Sequence, residues 1–180
     1  MNEDFSVKDA GKGIGSSATI YKSLRQFWGG GSKTDDYTPI TMGMFAISKY
    51  WWNMGQMDPA LQIWGGENVE ISFRTWLCGG RIMVARDSYV AHYFRTKPSY
   101  TYDTSLVTKN YIRIAHTWLD EPSLREFYKE HRLFYEPGKI HPDAGDISGR
   151  NDQMEEMKAR PSSPQGGIAV QAIQYLSGDV

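Results

Sequence analysis

Trp64-Gly65-Gly66-Glu67-Asn68-Val69-Glu70-Ile71-Ser72-Phe73-Arg74-Thr75-Trp76-Leu77-Cys78-Gly79-Gly80 places paired glycines, two carboxylates, an amide and two indoles in one short stretch. The chemistry suits a sugar site. Glycines let the backbone approach a ligand, an indole offers a flat apolar face to a pyranose, and Glu67 and Asn68 can hydrogen-bond its hydroxyls. A plainer reading makes the stretch a loop entering an amphipathic helix. Asn68 is then the N-cap, Val69, Phe73, Trp76 and Leu77 face the core at helical spacing, and Gly79 stops the helix. The two readings are compatible.

As a pattern, W-G-G-E-N-x-E-x-S-F-R-x-W-x-C-G-G resembles the signature of the polypeptide N-acetylgalactosaminyltransferases, which start mucin-type O-glycosylation, and thirteen specified positions match. The related W-G-G-E element of the β-1,4-galactosyltransferases continues with an acidic run, which Asn68-Val69-Glu70 does not. The resemblance implies an α/β chain, the C-terminal half of a glycosyltransferase A-type (nucleotide-diphospho-sugar transferase) fold, incomplete as it stands. It implies transfer of N-acetylgalactosamine from a UDP-sugar donor to Ser or Thr of a polypeptide acceptor, with retention, Mn2+ as cofactor and the Golgi as setting.

Upstream of this stretch, 41–48 reads as a buried strand and Lys49 to Asn53 as a short helix ending near Gly55. The family tends to carry A-G-G-L-F in that strand, so Gly43 is a donor-contacting glycine by resemblance, while Met42 replaces its companion. Downstream, 81–85 and 88–94 read as strands separated by the turn Arg86-Asp87. An isolated histidine on a strand is most often a hydrogen-bonded interior residue. Ser88-Tyr89-Val90-Ala91-His92-Tyr93-Phe94-Arg95, however, is similar to the family's S-x-V-G-H-x-F-R, which implies His92 as metal ligand. Arg95 then opens a loop over the donor, with a guanidinium suited to diphosphate oxygens, and Tyr100 fits that loop's tyrosine. By the same resemblance Trp64 closes over the donor, and Glu67 and Asn68 are the candidate catalytic pair that contacts the transferred sugar.

Helical spacing continues over 110–119, with Asn110 near the start, and over 123–132 after a break at Pro122. Trp118-Leu119-Asp120-Glu121, Phe127-Tyr128 and Gly145-Asp146-Ile147-Ser148-Gly149-Arg150 are similar to the family's W-x-D-E, F-Y and G-D-I-S-x-R elements. The resemblance covers about residues 38–160. Residues 1–37 read as a polar Gly/Ser-rich flexible segment with a helical turn or two between Ile20 and Trp28, and 161–180 as a disordered tail. Gly11 to Ser16 and Gly29 to Thr34 look like phosphate loops only superficially, because no strand precedes them and the second lacks the P-loop spacing.

Composition narrows the function further. Twenty basic and 21 acidic residues in 180 leave a formal charge of −1. That excludes the field of a nonspecific nucleic-acid binder. No apolar run of about 18 residues occurs and the start is Met1-Asn2-Glu3-Asp4, so the chain as written is expected to be soluble, without signal or membrane anchor. Cys78 is the sole cysteine. By resemblance it occupies a position that commonly joins a disulfide. The family holds its metal with an aspartate-any-histidine motif, and no D-x-H occurs in the sequence. The chain is therefore expected to show little or no turnover alone, with truncation and divergence both open. Two alternatives stay open: a galactosyltransferase-type hexosyltransferase, and a non-catalytic glycan- or peptide-binding fragment. Oligomeric state is not legible.

Overall fold

The computed structural model describes residues 16–20, 24, 26–30, 37–41, 45–53, 55–91, 101–159 and 168–174. Within them, β1 (Ser16–Ile20) and β2 (Gln26–Gly30) form an antiparallel hairpin in which Ala18 pairs with Trp28. The helical turn expected between Ile20 and Trp28 is thus corrected. Thr19, Ile20, Phe27 and Trp28 are β-branched or aromatic, and a strand partner decides the matter.

A second sheet has the order β3 (Phe45–Ile47), β5 (Ile168–Gln174), β4 (Ile82–Ala91), with β5 antiparallel to β3 and parallel to β4. The segment expected as a disordered tail therefore contributes the middle strand. Its polar, glycine-rich approach hid a seven-residue run whose pairing partners are distant in sequence. Instead of two strands separated at Arg86-Asp87, one strand runs through. The expected break survives as a register shift between Ala85 and Tyr89, so that 86–88 fall between successive pairs with β5. Such a bulge bends a strand without ending it.

The helices are α1 (Lys49–Asn53), α2 (Glu67–Leu77), α3 (Thr104–Trp118), α4 (Glu121–Glu130) and α5 (Ser148–Ala159), of which α2 packs on β4 and on α3, and α3 on α4. The expected start of α3 at Asn110 moves back to Asp103, whose carboxylate accepts the Ser105 N–H at 2.8 Å. Pro122 does not precede α4 as a break. It lies in the first turn, where its missing N–H costs nothing, behind an Asp120 cap that accepts the Ser123 N–H at 3.0 Å. At the other end of α2, Gly79 has φ +82°, the Gly79 N–H reaches the Trp76 carbonyl and the Gly80 N–H the Thr75 carbonyl. These two bonds form a Schellman stop, as the sequence predicted.

The core lies between α2, α3 and α4, with Val69, Ile112, Ile114, Trp118, Phe127 and Tyr128 buried together, while Ile71 and Ile82 join α2 to the sheet. The expected buried face of α2 is only partly correct. Trp76 and Leu77 are 37% and 47% exposed, and in their place the charged Glu70 and Arg74 are 1% and 3% exposed.

Beside α4, the His116 Nε2 accepts both the Tyr128 hydroxyl at 2.7 Å and the His141 backbone N–H at 3.2 Å. Only an unprotonated Nε2 can do so. Burial, then the charge of His141, holds His116 below its ordinary value, and burial pushes the Tyr128 hydroxyl up to about 12. Because the unfolded imidazole takes its proton first, this contribution to stability is complete above about pH 6.5 and is lost as pH falls from there to the folded-state value. Urea denaturation at pH 7.5 and 5.5 is expected to show a smaller acid loss in His116→Gln than in the parent; equal losses would exclude this histidine as the cause.

Candidate functional site

The loop before α2 is built on α3. Asn110, 2% exposed, accepts the Gln62 N–H through Oδ1 at 2.8 Å, while its Nδ2 donates to the carbonyls of Gln62 at 2.9 Å and Gly65 at 2.8 Å. One amide thus replaces the strand or helix bonds the loop lacks. Gly65 and Gly66 both have φ +97°, and a Cβ on Gly66 would stand 2.7 Å from Ile114 Cδ1. The paired glycines, expected to admit a ligand, let the loop bed down on α3.

Gly66 is also the N-cap of α2, with no side-chain cap bond. Asn68 lies one residue inside the helix and is not the cap. Its Nδ2 reaches the Thr41 carbonyl at 3.4 Å, while the Ser72 hydroxyl accepts the Thr41 N–H at 2.8 Å. Both side chains therefore tie the approach to β3 onto α2. Glu67 turns the other way. Its Oε2 accepts the Gly65 N–H at 2.9 Å, and its charge adds to burial in raising the Tyr111 hydroxyl on α3 above its usual range. Near the helix N-terminus a carboxylate is favoured.

Trp64 stands outward, 47% exposed, with its ring centroid 5.0 Å from that of Tyr102 at an interplanar angle of 40°. Tyr102 itself is 38% exposed. Trp64 on the loop and Tyr102 before α3 thus present two adjoining aromatic faces, Trp64 lying a few residues from a half-buried carboxylate. Gly43, His92, Arg95 and Tyr100 lie outside the described residues. Among the described residues no group of three or more His, Cys, Asp and Glu side chains gathers to hold a metal.

A buried ion network stands behind the loop, and helical periodicity missed it. Asp58 pairs with Arg113 through Oδ2 and Nε at 2.8 Å and through Oδ1 and Nη2 at 3.2 Å, and the Arg113 Nη1 donates to the carbonyls of Ala144 and Asp146. Arg150 donates from Nη2 to Glu70 Oε1, and Arg74 Nη2 stands 3.6 Å from Glu70 Oε2. Burial lifts the Glu70 carboxyl above its ordinary range against the fields of Arg74 and Arg150, and lowers Arg74 despite Glu70. Glu70 belongs to the W-G-G-E-N-x-E stretch and Arg150 to G-D-I-S-x-R. Two stretches 80 residues apart in sequence are therefore locked by one ion pair. The signal available in sequence was the Glu70/Arg74 spacing of four.

No family model matches the chain. It is 37% identical over 125 residues to polypeptide N-acetylgalactosaminyltransferase 13 of Homo sapiens, an alignment covering 67% of this chain and 21% of that protein. It is 40% identical over 127 residues to polypeptide N-acetylgalactosaminyltransferase 3 of Taeniopygia guttata, covering 66% and 19% respectively. The chain belongs to the polypeptide N-acetylgalactosaminyltransferase family. Polypeptide N-acetylgalactosaminyltransferase 5 of Rattus norvegicus is 39% identical over 122 residues, covering 66% of this chain and 12% of that one. The chain thus spans about a fifth or less of the length of the curated N-acetylgalactosaminyltransferases it matches. It is assigned to a glycosyltransferase family, with strands and helices compatible with α/β. No helix among the described residues is long and apolar enough to cross a membrane.

Proposed function

We propose that this chain carries the sugar-facing part of a retaining polypeptide N-acetylgalactosaminyltransferase of glycosyltransferase A-type fold, transferring N-acetylgalactosamine from UDP to Ser or Thr hydroxyls in mucin-type O-glycosylation in the Golgi. The observation that supports this reading is the clamped loop, whose Trp64 meets Tyr102 of the segment before α3 in adjoining aromatic faces, with Glu67 close by in sequence. Aromatic faces stack on the apolar side of a pyranose, and a carboxylate fixed by a backbone N–H orients its hydroxyls. Asn68 shapes the opposite wall, toward Thr41.

Gly43 and Trp64 are assigned to the donor, Arg95 to its diphosphate, and Tyr100 to the covering loop. His92 is the one metal ligand assigned, and the manganese would supply charge neutralisation at the diphosphate. The acceptor hydroxyl attacks on the face from which UDP leaves, the departing diphosphate takes its proton, and the protein contributes positioning and electrostatics. A partial catalytic domain over 38–160 belongs to the same proposal, with β5 supplying the middle strand of its sheet.

Because the sequence holds no D-x-H, transfer of radiolabelled sugar from UDP-GalNAc to a Ser/Thr peptide by this chain alone is expected to be negligible with manganese present. Saturation-transfer NMR with UDP-GalNAc is expected to show contact with Trp64, and UDP-GlcNAc and UDP-galactose test donor choice. Robust manganese-dependent turnover would overturn the first expectation, and absence of any sugar contact at Trp64 the second. The same missing motif favours a second reading, a non-catalytic glycan-binding fragment, for which sugar binding survives EDTA.

A further inference from the structure

We propose that the cleft formed by the turn after α4 is a docking site for an uncharged, proline-rich segment of a partner polypeptide. The cleft has a volume of about 310 Å3, with Tyr128 at its base, Phe134 and Tyr135 on one arm of the turn and Ile140, His141 and Pro142 on the other. None of Trp64, Glu67, Asn68 or Tyr102 lines it. Its failure and that of the transferase reading are therefore separate results.

Local chemistry builds the turn. Pro137 and Gly138 are its central residues, the Lys139 N–H closes it on the Glu136 carbonyl at 3.2 Å, and Gly138 has φ +72°. Proline followed by a left-handed glycine is the signature of a type II turn. Both arms are pinned to the helices behind them. The Leu133 N–H bonds the Tyr128 carbonyl at 2.9 Å, and the His141 N–H bonds His116 Nε2 at 3.2 Å. Tyr128, 2% exposed, meets both arms, its ring centroid 5.3 Å from that of Tyr135 and 5.9 Å from that of His141. A cleft held open in this way loses little freedom when it is filled.

The outer walls face solvent. Phe134 is 81% exposed, more than any other large hydrophobic side chain among the described residues, and Ile140 is 56% exposed. Covering them is the main gain an occupant can make.

The polar groups select that occupant. On the rim the Lys139 Nζ donates to Glu136 Oε1 at 2.5 Å, so neither charge is left over for an ion or for the hydroxyls of a sugar. His141 Nδ1 accepts the Asp143 N–H at 3.1 Å, which in the neutral imidazole puts the proton on Nε2, at the far edge of the ring. That N–H has no hydrogen-bond partner among the described residues. The cleft thus offers aromatic and apolar surface with one neutral donor. An added β-strand would need main-chain donors and acceptors in alternation. A polyproline II segment does not, because its rings pack on aromatic faces, its prolines carry no N–H, and its carbonyls turn outward as acceptors.

The test titrates the 180-residue chain with a short acetylated and amidated oligoproline, with a Gly/Ser peptide of the same length, and with N-acetylgalactosamine. Saturable shifts of the Phe134 and Tyr135 ring resonances and of His141 15Nε2 are expected with oligoproline alone. Phe134→Ala is expected to keep the parent melting temperature, the ring being so exposed, and to weaken oligoproline binding by roughly tenfold or more. His141→Asn retains an oxygen to accept the Asp143 N–H but lacks the far donor, so it is expected to weaken binding while protection of the Asp143 amide is unchanged. No saturable response to oligoproline up to millimolar concentration would overturn the proposal, as would an equal response to the Gly/Ser peptide or parent affinity in either variant. Shifts of the same resonances with N-acetylgalactosamine in place of oligoproline would make the cleft a sugar site and overturn it as well.

Discussion

Asp58→Ala is expected to destabilise the fold by about 3–5 kcal/mol, the cost of leaving a buried charge without its partner, and to lower the melting temperature by roughly 6–20 °C for a chain of this size. The side chains of Asp58 and Arg113 are only 3% and 8% exposed, and they meet through two hydrogen bonds. Removing the carboxylate strands the Arg113 Nε and Nη2, exposes Arg150 to a larger uncompensated field, and frees the Ala60 N–H that Asp58 Oδ1 accepts at 3.0 Å. These losses add because they share one acceptor. Asp58→Ala combined with Arg113→Met is expected to recover part of the loss, since an apolar side chain does not need the missing carboxylate. Urea denaturation of the parent, both singles and the double closes the cycle. An Asp58→Ala midpoint within about 1 kcal/mol of the parent would mean that water, and not Asp58, satisfies Arg113.

The network also marks the boundary between what periodicity reveals and what it hides. Local rules located α2 and its Gly79 stop, because apolar spacing and a left-handed glycine act within a few residues. They placed the helix beside Phe127-Tyr128 and erred on Pro122, whose position relative to the Asp120 cap decides whether it breaks a helix or starts one. They missed the first six residues of α3, since Thr104-Ser105-Leu106 follow a capping aspartate but carry little apolar pattern. On α2, helical spacing alone assigned Trp76 and Leu77 to the core. The face they occupy is open, and Trp76 instead donates its Nε1–H to the Thr38 carbonyl at 3.2 Å. The buried Glu70 finds its ion-pair partner in Arg150, which arrives from 80 residues away. No local window contains that fact.

The candidate site was legible to the same depth. Glycines, an indole and a carboxylate could be recognised from Trp64 to Glu67, and the structure sets Trp64 outward with Glu67 fixed behind it. What the residues alone could not show is that the glycines serve the contact with α3, that Asn68 turns toward Thr41, and that Asn110 holds the loop. Asparagine in mid-helix is ordinarily a weak helix former. Its use here depends on a loop 45 residues earlier in the chain, invisible until the two are packed.

Asn110→Ala should accordingly have an effect out of proportion to its size. It removes the acceptor of the Gln62 N–H and the donor to the Gln62 and Gly65 carbonyls, with a third, longer contact to Trp64 at 3.4 Å. Each intramolecular bond is worth about 1 kcal/mol net, and a buried group left unpaired costs about 1–3 kcal/mol, so a loss of about 2–4 kcal/mol is expected, water recovering part at exposed Gln62. On the proposed function the consequence reaches beyond stability, because the loop carries Trp64. Amide exchange at Gln62 is expected to accelerate toward that of an open loop, and any nucleotide-sugar contact at Trp64 to weaken with it. Asn110→Asp separates geometry from charge. It keeps an acceptor for Gln62, but turns a carboxylate against two or three carbonyl oxygens, which raises its folded pKa. Its stability should therefore be lowest at neutral pH and should recover as pH falls through that raised value, the protonated oxygen then donating as the amide did. A purely steric role for Asn110 predicts the opposite pattern, with Asp matching the parent at every pH and Ala alone destabilised. If Asn110→Ala kept both the parent's midpoint and the parent's protection at Gln62, the loop would be held by its own backbone, and Trp64 would have lost the support that makes it a site.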